Sequence, residues 1–341
     1  MKAVLIRLDH LGDILLCTPL LRVCAKAGIA FDAVVPGSVA PILEGNPHIK
    51  QVISIDEICP GFPGGWKRLA NWLKPRGYDA LVLPYGQPKE LLWASMMSGI
   101  PKRVAMWSGI WGRLTFHTCL RSHWVERPRH FAEIMLEMAP VLGAAPAGIL
   151  PEVFLTDVER NRAADQFRGR FGNRIVVGIH PGCAGNTCNL PPAEYGRLAE
   201  CLLENPAIAL AVTGSPGEKE LVRDWPDAIR QSDRVWNVIG ELSLRELAGI
   251  ISHMRLYVVP STGPLHIAAA LGVATLSPFC PSAPKCATVW GNSNGRGVVL
   301  EADPAVCRWE GNPAGKRCDF GGTVTGEMLA EKAGEILKSQ G

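Results

Sequence analysis

The sequence predicts an α/β protein of two lobes, each built on a parallel sheet, with a cleft between them. Three observations predict it. At 341 residues the chain exceeds the size at which a single core keeps growing. Strand-like and helix-like segments alternate through the first half, break near residue 150, and resume. Each half also holds a strand–turn–helix element with polar side chains and backbone donors just beyond the strand's carboxyl end, where open α/β sheets bind ligands. These are Val4–Asp13 and Leu256–His266.

In the first half, Ala3–Leu8 is a mostly apolar run, the pattern of a strand covered on both faces. Asp13–Lys26 carries Ile14, Thr18, Leu21 and Ala25 at helical spacing, with Pro19 inside the span as a bend or a first-turn residue. Phe31–Val35, Gln51–Ile55, Tyr78–Leu83 and Arg103–Met106 are the next strands. Glu90–Met97 and Phe131–Leu142 are helices, the latter with Met135, Met138 and Leu142 on one face. Ala144–Pro151, rich in Ala, Gly and Pro, is the expected link.

The second half restarts with strand Arg174–Ile179, ending at His180-Pro181-Gly182, and helix Glu194–Leu203. Strand Ile208–Thr213 ends at Gly214-Ser215-Pro216-Gly217-Glu218, where a helix starts. Val235–Ile239 is a strand. Ser243 with Glu246 three residues on is a capping box for helix Ser243–Ile251. Leu256–Val259, Ala274–Ser277 and Val298–Leu300 are strands, Pro264–Leu271 is a helix with an early proline, and Gly326–Ser339 is a closing helix.

Composition narrows the function. A hydrophobic content of 47% and a charged content of 20% describe an ordinary globular protein, and a net charge of +3 is too small to argue for nucleic acid. Residues 1–150 carry 16 Lys and Arg against 11 Asp and Glu, so the first half is mildly basic. That suits an anionic substrate or a membrane surface, or is simply a solvated face. No run of 18 apolar residues is present. The eleven cysteines are dispersed and many sit in apolar stretches, as expected of buried thiols in a reducing cytoplasm. Cys280, Cys286, Cys307 and Cys318 are the set that reads as zinc ligands, but they contain no tight Cys-x-x-Cys pair, so no metal is expected.

The candidate chemistry lies in four turns. Asp13 is either a general base at a cleft or a helix N-terminal acid favoured by the macrodipole. Ser261-Thr262-Gly263-Pro264 opens a helix of small residues, which is a phosphate site or a routine cap. His266 follows two residues into that helix. The glycines of His180-Pro181-Gly182 and Gly214-Ser215 let backbone amides approach an anion, though turns need Gly and Pro in any case. Glu218 either binds a ribose or favours its helix start. There is no P-loop and no Gly-x-Gly-x-x-Gly after the first strand.

The chain resembles the glycosyltransferase family 9 heptosyltransferases. The resemblance is carried by Arg7-Leu8-Asp9-His10-Leu11-Gly12-Asp13 with Thr18-Pro19, by His180-Pro181-Gly182, by Thr213–Glu218 and by Ser261–Ala270, in the family's order over nearly the whole chain. It implies a GT-B fold of two Rossmann-like domains. Residues 1–150 would bind the acceptor, 151–325 the nucleotide sugar, and helix 326–341 would cross back to the N-terminal domain. It implies an inverting, metal-independent transfer of heptose from an ADP-sugar to lipopolysaccharide core, with no cofactor beyond that co-substrate. Asp13 would deprotonate the acceptor hydroxyl. His180, Gly182, Gly214, Ser261, Thr262, Gly263 and His266 would line the donor, and Glu218 would face the nucleoside. The basic residues Arg103, Arg113 and Arg121 are the candidates for a phosphorylated glycolipid acceptor at the inner face of the cytoplasmic membrane.

Two departures stand out. The family usually has Asp where this chain has Ser261. It also usually has a Lys shortly before a Trp-Pro pair after His-Pro-Gly, and residues 185–192 here contain neither Lys nor Trp. Lys285 or Arg7 would then supply the missing charge, or the donor differs, or the chain is a non-catalytic nucleotide- or glycan-binding homologue. A GT-B sugar epimerase is a further reading, though no set of carboxylates stands out for it.

Overall fold

The computed structural model describes residues 1–339 except 85–87, 107–109, 122–125, 186 and 308–319, and at 110 and 111 it describes the backbone alone. The chain divides into two compact units, Met1–Phe154 and Leu155–Gly341.

Among the described residues each unit holds one six-stranded parallel sheet. The first contains β1 (Lys2–Ile6), β2 (Ala30–Val35), β3 (Ile49–Ser54), β4 (Ala80–Leu83), β5 (Lys102–Met106) and β6 (Thr118–Leu120), in the order β3-β2-β1-β4-β5-β6. The second contains β7 (Ile175–Ile179), β8 (Ile208–Val212), β9 (Val235–Asn237), β10 (Leu256–Val258), β11 (Thr275–Phe279) and β12 (Gly297–Glu301), in the order β12-β11-β10-β7-β8-β9. Both sheets are wound alike. The first strand formed lies beside the fourth, and successive strands run outward on either side, so each sheet has a switch point at its centre.

Burial follows that order. The interior strands β4 and β8 are buried at every position, whereas edge strands β3 and β12 are mostly half-buried and carry the exposed Lys50, Gln51 and Glu301. Charged and polar side chains on an edge discourage pairing with other chains.

The single helix expected over Asp13–Lys26 is two helices, Leu11–Leu15 and Thr18–Lys26. Pro19 has no amide hydrogen and its ring would strike the carbonyl of Leu15, so the helix stops and restarts with the proline in the new first turn. The Thr18 hydroxyl donates to the freed Leu15 carbonyl at 2.6 Å. The short helix Leu11–Leu15 therefore stands alone after β1. Likewise Phe131–Leu142 divides into Phe131–Leu136 and Met138–Leu142.

The Ala/Gly/Pro-rich stretch near 144–151 is fastened to the first unit. Arg22 donates to the carbonyls of Gly148 at 2.7 Å and Leu150 at 2.9 Å and pairs with Glu152 at 3.1 Å. The division accordingly falls after Phe154. Helix Asp157–Phe171 then opens the second unit behind a Thr156–Glu159 capping box; the sequence reading had no helix there because only Ala163, Phe167 and Phe171 are buried. Helix Gly326–Ser339 packs on helix Pro192–Leu203, so closely that a Cβ on Gly326 would lie 2.2 Å from the Glu194 carbonyl.

Candidate active site

Apart from Arg103 and Arg113, the sequence-predicted site residues of each unit lie at the carboxyl edge of its sheet. In the first unit, β1 delivers Arg7 and the following turn delivers Asp9 and Asp13. Arg7 is 2% exposed. Its Nη2 donates to Asp13 Oδ1 at 2.8 Å and lies 3.0 Å from Asp9 Oδ2. Nε and Nη1 of Arg7 are buried without a hydrogen-bond partner, and the guanidinium lies 5.7 Å from the centre of the Phe131 ring. Asp13 keeps 18% of its side-chain exposure. Its carboxylate caps no helix; helix Leu11–Leu15 has no side-chain cap at His10. Asp13 stands in the first turn of that helix, where the macrodipole favours an acid, and its carboxylate also still reaches solvent, so the geometry is compatible with both readings of the residue.

The three arginines fall in different places. Arg103 stands at the start of β5, the opposite edge from Asp13, and donates to the carbonyls of Ile100 at 2.9 Å and Thr115 at 3.1 Å. Arg113 is exposed on helix Ile110–Thr115. Arg121 is exposed immediately after β6, on the same edge as Asp13.

In the second unit, β7 and β10 flank the switch point, and the His180 amide donates to the Val258 carbonyl at 2.9 Å. His180 is buried; its Nδ1 lies 2.9 Å from the Thr213 hydroxyl, which lies 2.7 Å from the Tyr257 hydroxyl. Burial pushes the His180 imidazole down to about 4, against a smaller opposing pull from Glu218, so it is neutral at neutral pH. Burial likewise pushes the Tyr257 phenol up.

Glu218 ties two turns together. Oε1 accepts from the Ala184 amide at 3.2 Å, and Oε2 accepts from the Ser215 amide at 2.7 Å and the Ser215 hydroxyl at 2.8 Å. Burial alone would raise its pKa, but these hydrogen bonds and His180 together hold it below the ordinary carboxylate value. The brace requires glycine at 182, where a Cβ would lie 2.0 Å from Oε1. A Cβ on Gly214 would make a tight contact, 3.1 Å from the Ile239 side chain. The Ser-x-x-Glu spacing of Ser215 and Glu218 is a capping-box pattern, and Glu218 does serve its helix start, one of the two readings that the sequence allows. The loop after Gly182 is further pinned by Asn189, which donates to the Pro181 carbonyl at 2.8 Å and accepts from the Tyr195 hydroxyl at 2.7 Å.

Ser261, Thr262 and Gly263 are partly exposed where β10 passes into helix Gly263–Ala270. Thr262 occupies the cap position with extended backbone but makes no side-chain cap bond, and Pro264 follows in the first turn. The Leu265 amide donates to the Thr262 carbonyl at 3.0 Å, and the Gly263 amide and the positive end of the dipole are what the helix start can offer an anion. His266 is buried, its ring 6.5 Å from that of Trp290.

Known proteins resemble this chain in sequence and in fold. The profile of glycosyltransferase family 9 (heptosyltransferase) matches residues 66–316. The chain is 27% identical over 311 residues to lipopolysaccharide heptosyltransferase 1 of Pseudomonas aeruginosa, covering 86% of this chain and 82% of that one. It is 24% identical over 297 residues to lipopolysaccharide heptosyltransferase 2 of Escherichia coli, covering 83% and 84%. The solved ADP-heptose lipopolysaccharide heptosyltransferase II of E. coli superposes with a TM-score of 0.81 at 19% identity, over 100% of this chain and 99% of that one. The GT-B fold expected from the motifs is therefore the fold of this chain. With its profile match and paired switch-point turns, the chain belongs to glycosyltransferase family 9, the heptosyltransferases, and is a glycosyltransferase.

Proposed function

We propose that this enzyme moves a heptose from an ADP-sugar to a lipopolysaccharide core acceptor, with inversion and without a metal in the reaction, and that Asp13 is the general base. The observation that carries the reading is the Arg7–Asp13 pair, an oriented and accessible carboxylate at the carboxyl edge of the first sheet. In the proposed reaction Asp13 takes the proton of the acceptor hydroxyl. That oxygen attacks the anomeric carbon, the bond to the diphosphate breaks on the opposite face, and ADP leaves with the bonding pair. Thr262 and Gly263 at the helix start receive the diphosphate, with His180, Gly182, Gly214, Ser261 and His266 lining the donor site. Glu218 sets the shape of that site by bracing its two turns. Lys285, in the loop after β11 on the same edge, supplies the charge that the family's usual lysine would give. ADP as the nucleotide is supported by the E. coli heptosyltransferase WaaC solved with ADP, a fold match with a TM-score of 0.71.

The acceptor side of the proposal is a phosphorylated glycolipid presented at the cytoplasmic membrane surface. Trp93, Met96 and Met97 on helix Glu90–Met97 and Leu114 on the neighbouring helix are exposed apolar side chains, with Arg113 beside Leu114. Apolar residues next to cations suit an anionic lipid interface. Arg121 is the arginine best placed for the acceptor phosphate. No helix among the described residues is long and apolar enough to cross a membrane.

The experiment is a thermal-shift panel of nucleotide sugars against the purified protein. Selective stabilisation by an ADP-sugar is expected; preference for a UDP- or GDP-sugar would remove the heptose assignment. Ser261 and the absent lysine favour one second reading, a homologue that binds without catalysing. Calorimetric titration with ADP separates the two, since no binding at millimolar nucleotide would favour the degenerate protein.

A further inference from the structure

Three cysteines distant in sequence meet at one point of the second unit. Cys188 lies in the loop after β7, Cys280 directly follows β11, and Cys307 lies in the segment after β12. All three are buried, and their Sγ atoms lie within 4.8 Å of one another. Cys307 Sγ is 3.5 Å from Cys280 Sγ. Among the described residues no other group of histidines, cysteines or carboxylates converges in this way. The remaining described cysteines, such as Cys17, Cys24, Cys59 and Cys286, are scattered through the two units.

We propose that Cys188, Cys280 and Cys307 bind a thiophilic divalent metal, zinc foremost, as a structural fastener of the second unit. Tetrahedral zinc with Zn–S bonds of about 2.3 Å separates its sulfurs by roughly 3.8 Å. The Cys280–Cys307 pair is already near that value, and the third sulfur needs to close by less than about 1 Å. Three thiolates fill three corners, and a water or a further protein donor fills the fourth. A disulfide would use two of the sulfurs, would need them about 2.05 Å apart, and would leave the third without a role.

The proposal assigns the metal no chemical step. It ties together the ends of three strands, β7, β11 and β12, at the edge where His180 and Thr262 stand. It also identifies the ligand that spacing alone could not find. Cys188 was absent from the cysteine set legible in the sequence, whereas Cys286 belonged to that set and is not in the cluster. Cys318 lies outside the described residues.

The test is metal content of the whole protein, purified under reducing conditions and dialysed against metal-free buffer, followed by zinc titration against a chromophoric competitor. One zinc per chain is expected, and cobalt substituted for it should give the near-ultraviolet thiolate-to-metal charge-transfer band. Cys188→Ser and Cys307→Ser should lose the metal while Cys286→Ser keeps it. If the serine variants fail to fold, the cobalt spectrum of the wild type decides alone. Failure of the reduced wild type to take up zinc or cobalt would overturn the proposal. So would a Cys280–Cys307 disulfide in the isolated protein, found by non-reducing peptide mapping. Neither result bears on whether the enzyme transfers heptose.

Discussion

Arg7 Nη2 sits 2.8 Å from Asp13 Oδ1 and 3.0 Å from Asp9 Oδ2, so one buried guanidinium nitrogen serves two carboxylates. Strand β1 places the cation and the turn after it places both acids. The side chain proposed as base is therefore oriented from beneath by a residue six positions earlier.

Removing that support has a predictable effect. Arg7→Met leaves two neighbouring carboxylates without their cation. A broken buried pair costs ~3–5 kcal/mol, which the partial exposure of both acids reduces to about 2–4 kcal/mol. Chemical denaturation should report that loss. Activity measurements should show kcat falling while ADP affinity, which the proposed function assigns to the second unit, stays level. A proportional loss of both would mean the substitution acts through general unfolding.

Gly182→Ala places a methyl group 2.0 Å from Glu218 Oε1 and forces the brace apart. Losing charge-assisted hydrogen bonds worth ~1.5–3 kcal/mol corresponds to weaker ADP binding by on the order of 10-fold or more. In the double variant Gly182→Ala/Glu218→Ala the two effects should fall well short of their sum, because both remove one interaction. Calorimetry on the four proteins checks this, and strict additivity would refute the brace.

His180 gives a pH dependence. The unfolded chain takes up this proton near the ordinary value of 6.5, and the folded chain only near about 4. Between those values the unfolded state binds more protons, so stability falls as pH drops from 6.5 towards 4, by as much as about 3 kcal/mol. Denaturation midpoints measured across that range should slope less in His180→Gln than in the wild type. Parallel curves would show that His180 is not the source.

Lys285→Ala should lower kcat by on the order of 10²-fold if this lysine neutralises the departing diphosphate. Steady-state kinetics at saturating donor is the check. Unchanged kcat would assign that role to another cation.

Much of this was legible in the sequence because it depends on short-range patterns. Apolar runs ending in Gly, Pro and polar residues marked strands β1, β7, β8 and β10 and the turns after them, and Ser243 with Glu246 marked a helix start that is indeed capped. What stayed hidden depends on contacts between distant segments or on weak patterns. Helix Asp157–Phe171 buries three side chains on an otherwise charged surface, so no apolar stripe announced it. Arg103 looked like a free cation until its place at the start of β5 and its carbonyl partners were known. The meeting of Cys188 with Cys280 and Cys307 follows from strand order, which spacing along the chain does not encode.

The most direct measurement compares Asp13→Asn with the wild type by single-turnover transfer and by ADP calorimetry on the same preparations. The substitution keeps size and polarity but removes the proton acceptor, and loss of a general base costs roughly 10²–10⁴-fold. The account predicts that fall in the rate of sugar transfer with the ADP dissociation constant unchanged. Transfer at near the wild-type rate would contradict it.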